Sequence, residues 1–368
     1  MNQLLLVSII INNYNYGRFL SQAIDSALGQ TYSPVEVIVV DDGSTDDSRA
    51  IIGAYDNRVI PVLKENGGQA SAFNAGLAHS QGEVIIFLDA DDVLLPQIAE
   101  RVTAVFQTDV EVAKVQYRLE VIEAGGAPTG LVRPPWQRPM PNGDLRSQVL
   151  TFPDDIPWQP TSGNAFAAPV LRQVFPVPED VYRICADYYL SNLPPLFGAV
   201  VSLEEVGGYY RVHDANNHDT SAVNLEQTRQ IITRTLHTHS YIKTFADSLG
   251  LTGFPVEAAD VPAVTFLAHR IVSLKLDPQH HPIRNDRLLS LFVRSVSAAF
   301  GRFDLSWSAR CLYSLWFAAV LFAPGPGVRW LAQKFFYSET RGQLGKVVGV
   351  LQRINVSIQS KERARYGT

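Results

Sequence analysis

Three carboxylates stand within four residues at Asp89-Ala90-Asp91-Asp92, directly after an apolar run. Carboxylates this close repel one another unless a cation neutralises them. Mg²⁺ and Mn²⁺ prefer oxygen ligands and commonly bridge protein carboxylates to substrate phosphates. The pattern therefore predicts a divalent-metal site that includes Asp91 and Asp92. The alternative is a solvated turn that caps a helix beginning near Pro96.

A second acidic pair, Asp41-Asp42, also follows an apolar run and precedes the turn-forming residues 43–46. A carboxylate after a parallel strand can accept hydrogen bonds from ribose hydroxyls or from a base N–H. The Gly-Ser-Thr-Asp sequence that follows is typical of a tight turn and a helix cap. The two interpretations are compatible, with Asp42 facing a ligand and residues 43–46 shaping the turn.

Asp187 is an isolated carboxylate in the apolar stretch 184–190. A carboxylate in apolar surroundings needs either a partner or a chemical task. It could act as a general base that takes a proton from a hydroxyl group. From this stretch alone, structural pairing is the stronger interpretation.

Arg211 and His213 alternate within Tyr210-Arg211-Val212-His213, so they share one face if the segment is extended. Both could contact a diphosphate, or His213 could bind the metal. A lone histidine is more often structural, so the neighbouring residues decide between these interpretations.

The order of elements explains why these polar residues should meet. Apolar, β-branched runs predict strands at 4–11, 35–40, 59–63 and 83–88, with helices between them. This alternation predicts a mostly parallel sheet with right-handed crossovers. Ligands of such sheets bind beyond the carboxyl ends of the strands. The loop 12–15 and both acidic motifs should therefore converge on one edge.

The pattern loosens in the second half of the chain. Residues 125–160 are rich in proline and glycine and predict a long loop. A helical stretch around Asp187 and a strand near 199–203 follow, and the signals are helical from about residue 224. The apolar run 311–323 is too short to span a bilayer and suits a buried or interfacial helix.

Composition excludes several classes of protein. The chain has 368 residues, of which 46% are hydrophobic and 18% charged, and its formal net charge is −5. This composition is globular, and it supplies no basic field for nucleic acid. The first residues do not resemble a signal peptide. Cys185 and Cys311, both in apolar surroundings, fit neither a zinc site nor a redox pair, so we expect a reducing, cytoplasmic location.

The C-terminal residues 324–368 carry eight Lys or Arg against two Asp or Glu, and include Trp330, Phe335, Phe336 and Tyr337. Aromatic residues beside basic ones can bind an anionic membrane surface, here the inner face of a membrane. A helical subdomain with a solvated basic face explains the same composition. Pairing of C-terminal helices in a homodimer is a further possibility.

Taken in order, these motifs resemble those of the family 2 glycosyltransferases of the GT-A fold over about residues 4–215. The matching segments are 7–15 and 39–46 at the first two strand ends, 66–70 with 74–76, the metal motif 89–92, and 161–164 near the acceptor site. Each segment alone is weak, but the ordered combination is specific to this family.

The resemblance implies an α/β, Rossmann-like GT-A fold, with a mostly parallel central sheet flanked by helices in residues 1–222 and a helical region in 223–368. It implies a metal site of Asp91, Asp92 and His213. The residues it implies around the donor are Ile11, Asn12, Tyr14, Asp42, Gly68, Asn74, Asp89, Ala90, Asp91 and Arg211. Asp187 would be the catalytic base, although many members have Glu-Asp where this chain has Ala186-Asp187, so Asp180 is a weaker alternative.

The implied activity is a metal-dependent, inverting sugar transfer that uses Mn²⁺ or Mg²⁺ and a nucleotide-diphosphate sugar, with UDP preferred on family grounds. The metal with Arg211 or His213 would stabilise the leaving diphosphate. Asp187 would deprotonate the acceptor hydroxyl, and a β-linkage would result from an α-linked donor. The expected acceptor is a glycan or lipid-linked glycan in cell-surface polysaccharide or glycolipid assembly.

Two other classes of protein share part of this pattern. A nucleotide-sugar-binding protein without catalysis would use the donor motifs but would not need Asp187. A sugar nucleotidyltransferase usually carries a Gly-rich, basic loop after the first strand, where this chain has Asn12-Asn13-Tyr14-Asn15. A Rossmann dehydrogenase is excluded because Gly-x-Gly-x-x-Gly is missing at the same place.

Overall fold

The computed structural model describes residues 4–108, 111–214, 223–253, 255 and 257–336. The chain divides into two compact units, called here the sheet unit and the helical unit. The sheet unit comprises residues 1–149, 156–216 and 244–250, and the helical unit comprises 150–155, 217–243 and 251–368.

One sheet, with nine strands in the described residues, forms the sheet unit. The strands are β1 (Val7–Asn13), β2 (Val35–Asp42), β3 (Ile60–Lys64), β4 (Val84–Asp89), β5 (Val93–Leu94), β6 (Val112–Glu123), β7 (Pro128–Arg133), β8 (Asn164–Ala167) and β9 (Ala199–Val212). Their order is β3-β2-β1-β4-β8-β6-β9-β5, with β7 paired to β6. The pairs β1–β2, β1–β4, β2–β3 and β6–β9 are parallel, and the other pairs are antiparallel. The sheet is therefore mixed, and the part built from β1 to β4 has the parallel order that was expected.

Helices flank the sheet and make up most of the helical unit. The helices in the described part of the chain are α1 (Gly17–Leu28), α2 (Ser48–Gly53), α3 (Gln69–His79), α4 (Ile98–Thr108), α5 (Arg146–Thr151), α6 (Ala168–Val174), α7 (Ala186–Asn192), α8 (Leu225–Ser248), α9 (Val264–Leu276), α10 (Leu288–Gly301), α11 (Trp307–Phe322) and α12 (Gly325–Phe336). Among the described helices, none has the length and apolar character that crossing a bilayer requires.

The apolar runs that predicted strands are buried on both faces of the sheet. Val7, Ile9, Ile10 and Ile11 of β1 are fully buried, as expected of a parallel strand with helices on both sides. The strand register then aligns the polar residues that follow. Asn12 lies opposite Asp89, and Asn13 lies opposite Asp41. The convergence predicted from topology therefore occurs at the carboxyl edge of β1, β2 and β4.

Two expectations for the second half were wrong in part. The loop expected at 125–160 contains β7 and α5, because a tight turn with Gly126 at φ 89° returns the chain to pair with β6. The strand expected at 199–203 continues to Val212. It passes Tyr117 closely at Gly207, where a Cβ would lie 2.3 Å from the ring, so only glycine fits at this position.

The helical unit has its own apolar core, formed by residues such as Leu267, Ile271 and Phe317. Asp155 accepts hydrogen bonds from the backbone N–H groups of Val264 and Thr265, at 2.7 and 2.8 Å, and so caps the first turn of α9. Hydrophobic packing and a charged N-cap thus stabilise this unit internally.

The two cysteines form no disulfide bond, and they differ in burial. Cys185 is buried as expected, whereas Cys311 is exposed on α11. The apolar run that contains Cys311 is therefore buried on one face, through residues such as Trp316, Phe317 and Val320, and Cys311 lies outside that face.

Candidate active site

The acidic cluster is tied to two other elements through Gln69. Asn12 donates its side-chain N–H to Asp89 Oδ1 at 2.8 Å, and Gln69 donates to the same oxygen at 3.2 Å. The Gln69 carbonyl oxygen in turn accepts the backbone N–H of Ala186 at 2.8 Å. One amide therefore joins the end of β4, the start of α3 and the start of α7, which carries Asp187. Gln69 lies in a segment that resembles the family, but it was not predicted as a site residue.

Asp92 anchors the acidic cluster to the protein. It is only 1% exposed, and Oδ1 accepts the backbone N–H of Arg211 at 2.9 Å. The hydroxyl of Ser162 donates to Oδ2 at 2.6 Å, and its oxygen accepts the backbone N–H of Asp89 at 3.1 Å. The alternative of a solvated turn is therefore wrong, because both oxygens of Asp92 are engaged by buried groups.

Asp91 and His213 form the pair best suited to a metal ion. Their Oδ2 and Nε2 atoms lie 3.0 Å apart. Neighbouring ligands of an octahedral Mg²⁺ lie about 3 Å apart, because each sits about 2.1 Å from the metal. In the part of the chain that the structure describes, no group of three or more His, Cys, Asp or Glu side chains could hold a metal by itself. The residues present thus fit a site in which a substrate or water supplies the other ligands.

Arg211 holds the acidic cluster from the opposite side. Its side chain is almost fully buried, Nε donates to the carbonyl of Asp91 at 2.7 Å, and the terminal nitrogens donate to Ala124 O at 3.0 Å and Gln22 Oε1 at 2.6 Å. A direct contact with a diphosphate would require these hydrogen bonds to break. Arg18, with a side chain 51% exposed, donates to His213 Nδ1 at 3.2 Å and is the more accessible cation.

Asp42 is engaged by the segment that leads into α3. Its carboxylate accepts a hydrogen bond from Lys64 Nζ at 2.7 Å. It also accepts hydrogen bonds from the backbone N–H groups of Gly67 and Gly68, at 2.9 and 2.7 Å. Gly68 has φ 91°, and a Cβ there would lie 2.4 Å from the carbonyl oxygen of Arg183. Asp42 and Gly68 thus shape the same loop, and an open cavity beside it is lined by Gly43, Ser44, Arg49, Leu63, Lys64, Glu65 and Asn66.

The remaining residues predicted around the donor are dispersed. Ile11 and Ala90 are buried, and Ala90 donates its N–H to the carbonyl of Asn12 at 3.2 Å. Tyr14 is 47% exposed after β1. Asn74 exchanges hydrogen bonds with the backbone of Val177 at 2.8 and 2.9 Å, and thus fastens α3 to another loop. None of the contacts recorded for Asn74 reaches the acidic cluster.

The cluster concentrates negative charge in a buried place. Burial, followed by the charge of Asp91, raises the pKa of Asp89 to about 7, and the charge of Asp187 contributes in the same direction. Burial and then the charges of Asp91 and Asp89 hold the pKa of Asp92 well above its usual value. Burial and the charge of Asp91 likewise raise the pKa of Tyr16 to about 12. Such a site favours the binding of a cation.

Asp187 lies in the first turn of α7, two residues after Cys185, whose φ is 64°. It borders a narrow crevice together with Thr161, Asn164 and Phe166, and this crevice is too tight to hold a water molecule. The structure thus brings Asp187 to the acidic cluster through Gln69, beside the segment expected near the acceptor.

Lys114 on β6 was missed by the sequence analysis. It is fully buried, and its ammonium has no hydrogen-bond partner in the described structure. Burial lowers its pKa to about 7, and the charge of Asp187 opposes that shift. The sequence did contain a signal for this residue. Lys114 and Gln116 are two residues apart within an apolar strand, so strand periodicity places both polar side chains on one face.

Comparison with known proteins identifies the kind of molecule. The family described as "Glycosyl transferase family 2" matches residues 8–158. An uncharacterized glycosyltransferase of Nostoc sp. is 39% identical over 249 residues, which cover 66% of this chain and 76% of that protein. The hyaluronan synthase of Pasteurella multocida is 41% identical over 118 residues, 31% of this chain and 12% of that one.

The fold also has a solved counterpart. S. aureus TarS superposes with a TM-score of 0.50 at 16% identity, covering 89% of this chain and 55% of TarS. The chain therefore spans about three quarters of the Nostoc relative but little more than half of TarS. At this identity the TarS likeness speaks to the fold alone.

Replacing Asp89 by Asn should remove a pH-dependent loss of stability. The pKa of Asp89 is about 7 in the folded protein and 3.8 ordinarily, so folding favours the protonated carboxyl. The resulting stability is fully present below pH 3.8 and is lost as the pH rises through 7. In metal-free buffer, the variant should melt close to wild type near pH 4 and above it at pH 8, by thermal unfolding. The control is Asp56→Asn, because Asp56 is exposed and far from the cluster in sequence. Parallel curves of Tm against pH for wild type and Asp89→Asn would contradict the prediction.

Proposed function

The chain belongs to glycosyl transferase family 2, and we propose that it transfers a sugar from a nucleotide-diphosphate donor to an acceptor hydroxyl, with inversion at the anomeric carbon. The observation that carries this proposal is the link through Gln69 between the acidic cluster and Asp187. It joins a cation-binding edge to a carboxylate in the same unit. We assign this chemistry to residues 1–222, and a supporting role to 223–368.

Asp187 is the base in this proposal. Its carboxylate accepts the proton of the acceptor hydroxyl while that oxygen bonds to the anomeric carbon. The bond from the anomeric carbon to the diphosphate oxygen breaks on the opposite face, and its electron pair leaves with the nucleotide diphosphate. An α-linked donor would thus give a β-linked product. Asp180, the alternative base, is exposed in a turn, which gives it less support.

Asp91 and His213 are the proposed holders of Mn²⁺ or Mg²⁺, and Asp92 is assigned mainly to anchoring the loop. A divalent cation supplies charge neutralisation for the leaving diphosphate. Arg18 is the accessible cation beside His213, whereas Arg211 is assigned to positioning the acidic cluster. We favour UDP as the nucleotide because of the family resemblance, with Asn12 and Asp42 at the strand ends on the nucleotide side.

The acceptor is proposed to be a membrane-associated glycan, in the assembly of cell-surface polysaccharide or glycolipid. A relative named as a hyaluronan synthase supports a polysaccharide product, although the match covers a small part of that protein. The surface of the helical unit gives a second line of support. Its exposed large apolar side chains in α10 to α12 and the turn between α10 and α11 are Leu289, Val293, Phe303, Trp307, Leu315, Phe322 and Trp330.

The helical surface has the charge expected of a membrane-binding face. Residues 305–336 contain no Asp or Glu but include Arg310, Arg329 and Lys334. Trp307 and Leu315 are eight residues apart on α11, so they lie on one face with Phe322. In a symmetric dimer this basic patch would meet its own copy, whereas an anionic bilayer would complement it. Tyr337 and the rest of the tail lie outside the described residues.

A nucleotide-sugar-binding protein without catalysis is the second candidate function. It would use the same donor edge but would not turn over the donor. A turnover assay distinguishes the two functions once donor binding has been established. The variants described next test donor binding first and turnover second.

Metal-dependent nucleotide binding should require Asp91. A thermal-shift screen of UDP, GDP, dTDP and CMP, each with and without Mn²⁺ or Mg²⁺, should raise the Tm with one nucleotide when metal is present. Asp91→Asn should abolish that shift, because it removes a charged ligand. Asp92→Asn is the matched control, since an amide can keep contacts with Arg211 and Ser162, and it should retain most of the shift. An unchanged shift in Asp91→Asn would reject the metal assignment.

Asp187→Asn should separate binding from turnover. The variant keeps the size of the side chain but cannot accept the proton, so the release of nucleotide diphosphate from the donor should fall by about 10²–10⁴-fold. Calorimetry should give donor affinity close to wild type. Near-normal turnover in the variant would show that another residue is the base. If the wild-type protein also shows no detectable turnover, the binding-protein alternative is favoured.

The double variant Trp307→Ser with Phe322→Ser should weaken binding to anionic vesicles. These side chains are 67% and 82% exposed, so little folded stability depends on them. Flotation with phosphatidylglycerol-containing vesicles should show a clear loss of bound protein relative to wild type. Leu131→Ser, at 64% exposure in the sheet unit, is the control. If wild type does not float but forms dimers that the double variant abolishes, the face pairs with a second copy instead.

A further inference from the structure

Arg118 is a buried arginine in the middle of β6 that holds the loop between β7 and α5. Its side chain is 1% exposed, and Nε donates to Glu204 Oε2 at 3.1 Å. One terminal nitrogen donates to the carbonyls of Pro134 and Pro135 at 2.7 and 3.2 Å, and the other donates to the carbonyl of Arg138 at 3.2 Å. Each nitrogen of the guanidinium therefore has an acceptor, and most of these acceptors are backbone carbonyls of one short loop.

The loop that Arg118 holds presents Trp136 at the surface. The indole lies over the guanidinium, with 5.0 Å between Arg118 Cζ and the ring centre, yet Trp136 is 54% exposed. A ring with one face against Arg118 and this much exposure offers its other face to solvent. The cation–π contact and the hydrogen bonds to the loop fix the ring in advance, which lowers the entropy that binding a ligand would cost. A rigid, exposed tryptophan of this kind is suited to recognition.

The strand register places Arg118 level with Asp89. Phe166 of β8 lies opposite Ile85 of β4 on one side and opposite Lys114 of β6 on the other. Since β4 and β6 both run antiparallel to β8, four residues further along each strand lead to Asp89 and to Arg118. Two strand spacings of about 4.8 Å separate them, so their backbones lie roughly 10 Å apart.

Arg118 also shares its face of the sheet with the surroundings of Asp187. Side chains alternate along a strand, so Gln116 and Arg118 lie on one face, and Asn164, opposite Gln116, lies on that face too. Asp187 borders a narrow crevice with Asn164. Gln116 also donates to a carbonyl of the loop at 2.9 Å, so the loop that carries Trp136 runs along this face. Trp136 and Asp187 therefore lie on the same side of the sheet.

We propose that Trp136 is a stacking platform for a sugar ring of the acceptor glycan, and that Arg118 is the positioning residue that holds it. This rests on the proposed sugar transfer, in which the acceptor hydroxyl reaches Asp187 while the rest of the acceptor extends along the same face. The indole face is electron-rich and attracts the polarised C–H groups on the apolar face of a pyranose. Gln137, which is also exposed, can exchange hydrogen bonds with the sugar hydroxyls.

The position of the platform determines the size of the acceptor. Trp136 lies beyond Arg118, which is itself roughly two strand spacings from the acidic cluster. The sugar that stacks there is therefore not the one that receives the donor sugar. An acceptor that uses both places must contain several sugar units, so the proposal predicts an oligosaccharide acceptor and weak binding of a monosaccharide.

The first test measures glycan binding and needs no turnover. On an array of oligosaccharides and the matching monosaccharides, the full-length protein should bind an oligosaccharide more tightly than its monosaccharide. Trp136→Ala should weaken that binding about ten-fold, whereas Trp136→Phe should retain most of it because a ring face remains. Leu131→Ala is the matched control, since Leu131 is 64% exposed on β7 and offers no ring. Equal binding by Trp136→Ala and wild type, or no glycan bound by wild type, would overturn the proposal.

The second test separates the loop from the fold. Arg118→Lys keeps the charge but loses the planar fork that engages the loop carbonyls, so it should also weaken glycan binding. The Tm shift caused by UDP with Mn²⁺ should stay as in wild type, because that shift reports on the donor side of the sheet unit. Unchanged glycan binding, or loss of the UDP shift together with glycan binding, would overturn the positioning role of Arg118.

The third test uses the bound oligosaccharide as acceptor and UDP-GlcNAc, UDP-glucose or UDP-galactose as donor. Trp136→Ala should raise the KM for the oligosaccharide about ten-fold and affect kcat less, because stacking contributes to binding rather than to the chemical step. A fall in kcat with an unchanged KM would contradict a binding platform. If wild type releases no UDP from any of these donors, the proposed sugar transfer fails, and the array alone decides whether Trp136 binds a glycan.

Discussion

The concentration of negative charge at the carboxyl end of β4 determines which groups the surrounding elements must place next to it. Asp89, Asp91 and Asp92 follow one another at this edge, and Asp187 adds a fourth carboxylate from α7. Burial and mutual repulsion raise the pKa of Asp89 and of Asp92. A fold can keep such a group together only by directing N–H, O–H and cationic groups at it. The surrounding elements are arranged to supply these donors.

The donors are distributed unequally among the carboxylates. Asp92 is held by the Arg211 backbone and the Ser162 hydroxyl, and Asp89 by the amides of Asn12 and Gln69. Asp91, in contrast, pairs its side chain with His213, with 3.0 Å between Oδ2 and Nε2. The protein has therefore satisfied the anchoring carboxylates itself and left one oxygen-and-nitrogen pair at a spacing that suits a metal ion. This division separates the groups that build the loop from the pair, Asp91 and His213, that we propose as metal ligands.

Local sequence patterns were sufficient for the first half of the fold. Apolar runs predicted β1 to β4 within a few residues, and parallel order predicted that loop 12–15 and the acidic motifs meet, as the register of Asn12 opposite Asp89 confirms. Gln69 and Ser162 could not be assigned because their hydrogen bonds join segments far apart in the chain. Arg211 illustrates the same limit. The motif identified it as a candidate site residue, but its hydrogen bonds to Gln22 and Ala124 could not be predicted from the sequence.

Several buried polar atoms without a hydrogen-bond partner in the described residues lie on the strands next to the acidic cluster. On β1 they are the side-chain oxygens of Asn12 and Asn13, and around β6 and β8 they include Lys114 Nζ, Gln116 Oε1 and Asn164 Oδ1. Buried polar groups in native proteins are normally hydrogen-bonded, so such atoms indicate where water or a ligand completes the structure. The first set flanks the strand ends where a nucleotide would lie, and Asn164 of the second borders the crevice of Asp187. Asp89 and Asp92 are thus engaged by the protein's own groups, whereas the side-chain oxygens of Asn12, Asn13 and Asn164 are acceptors that a bound water or ligand would satisfy.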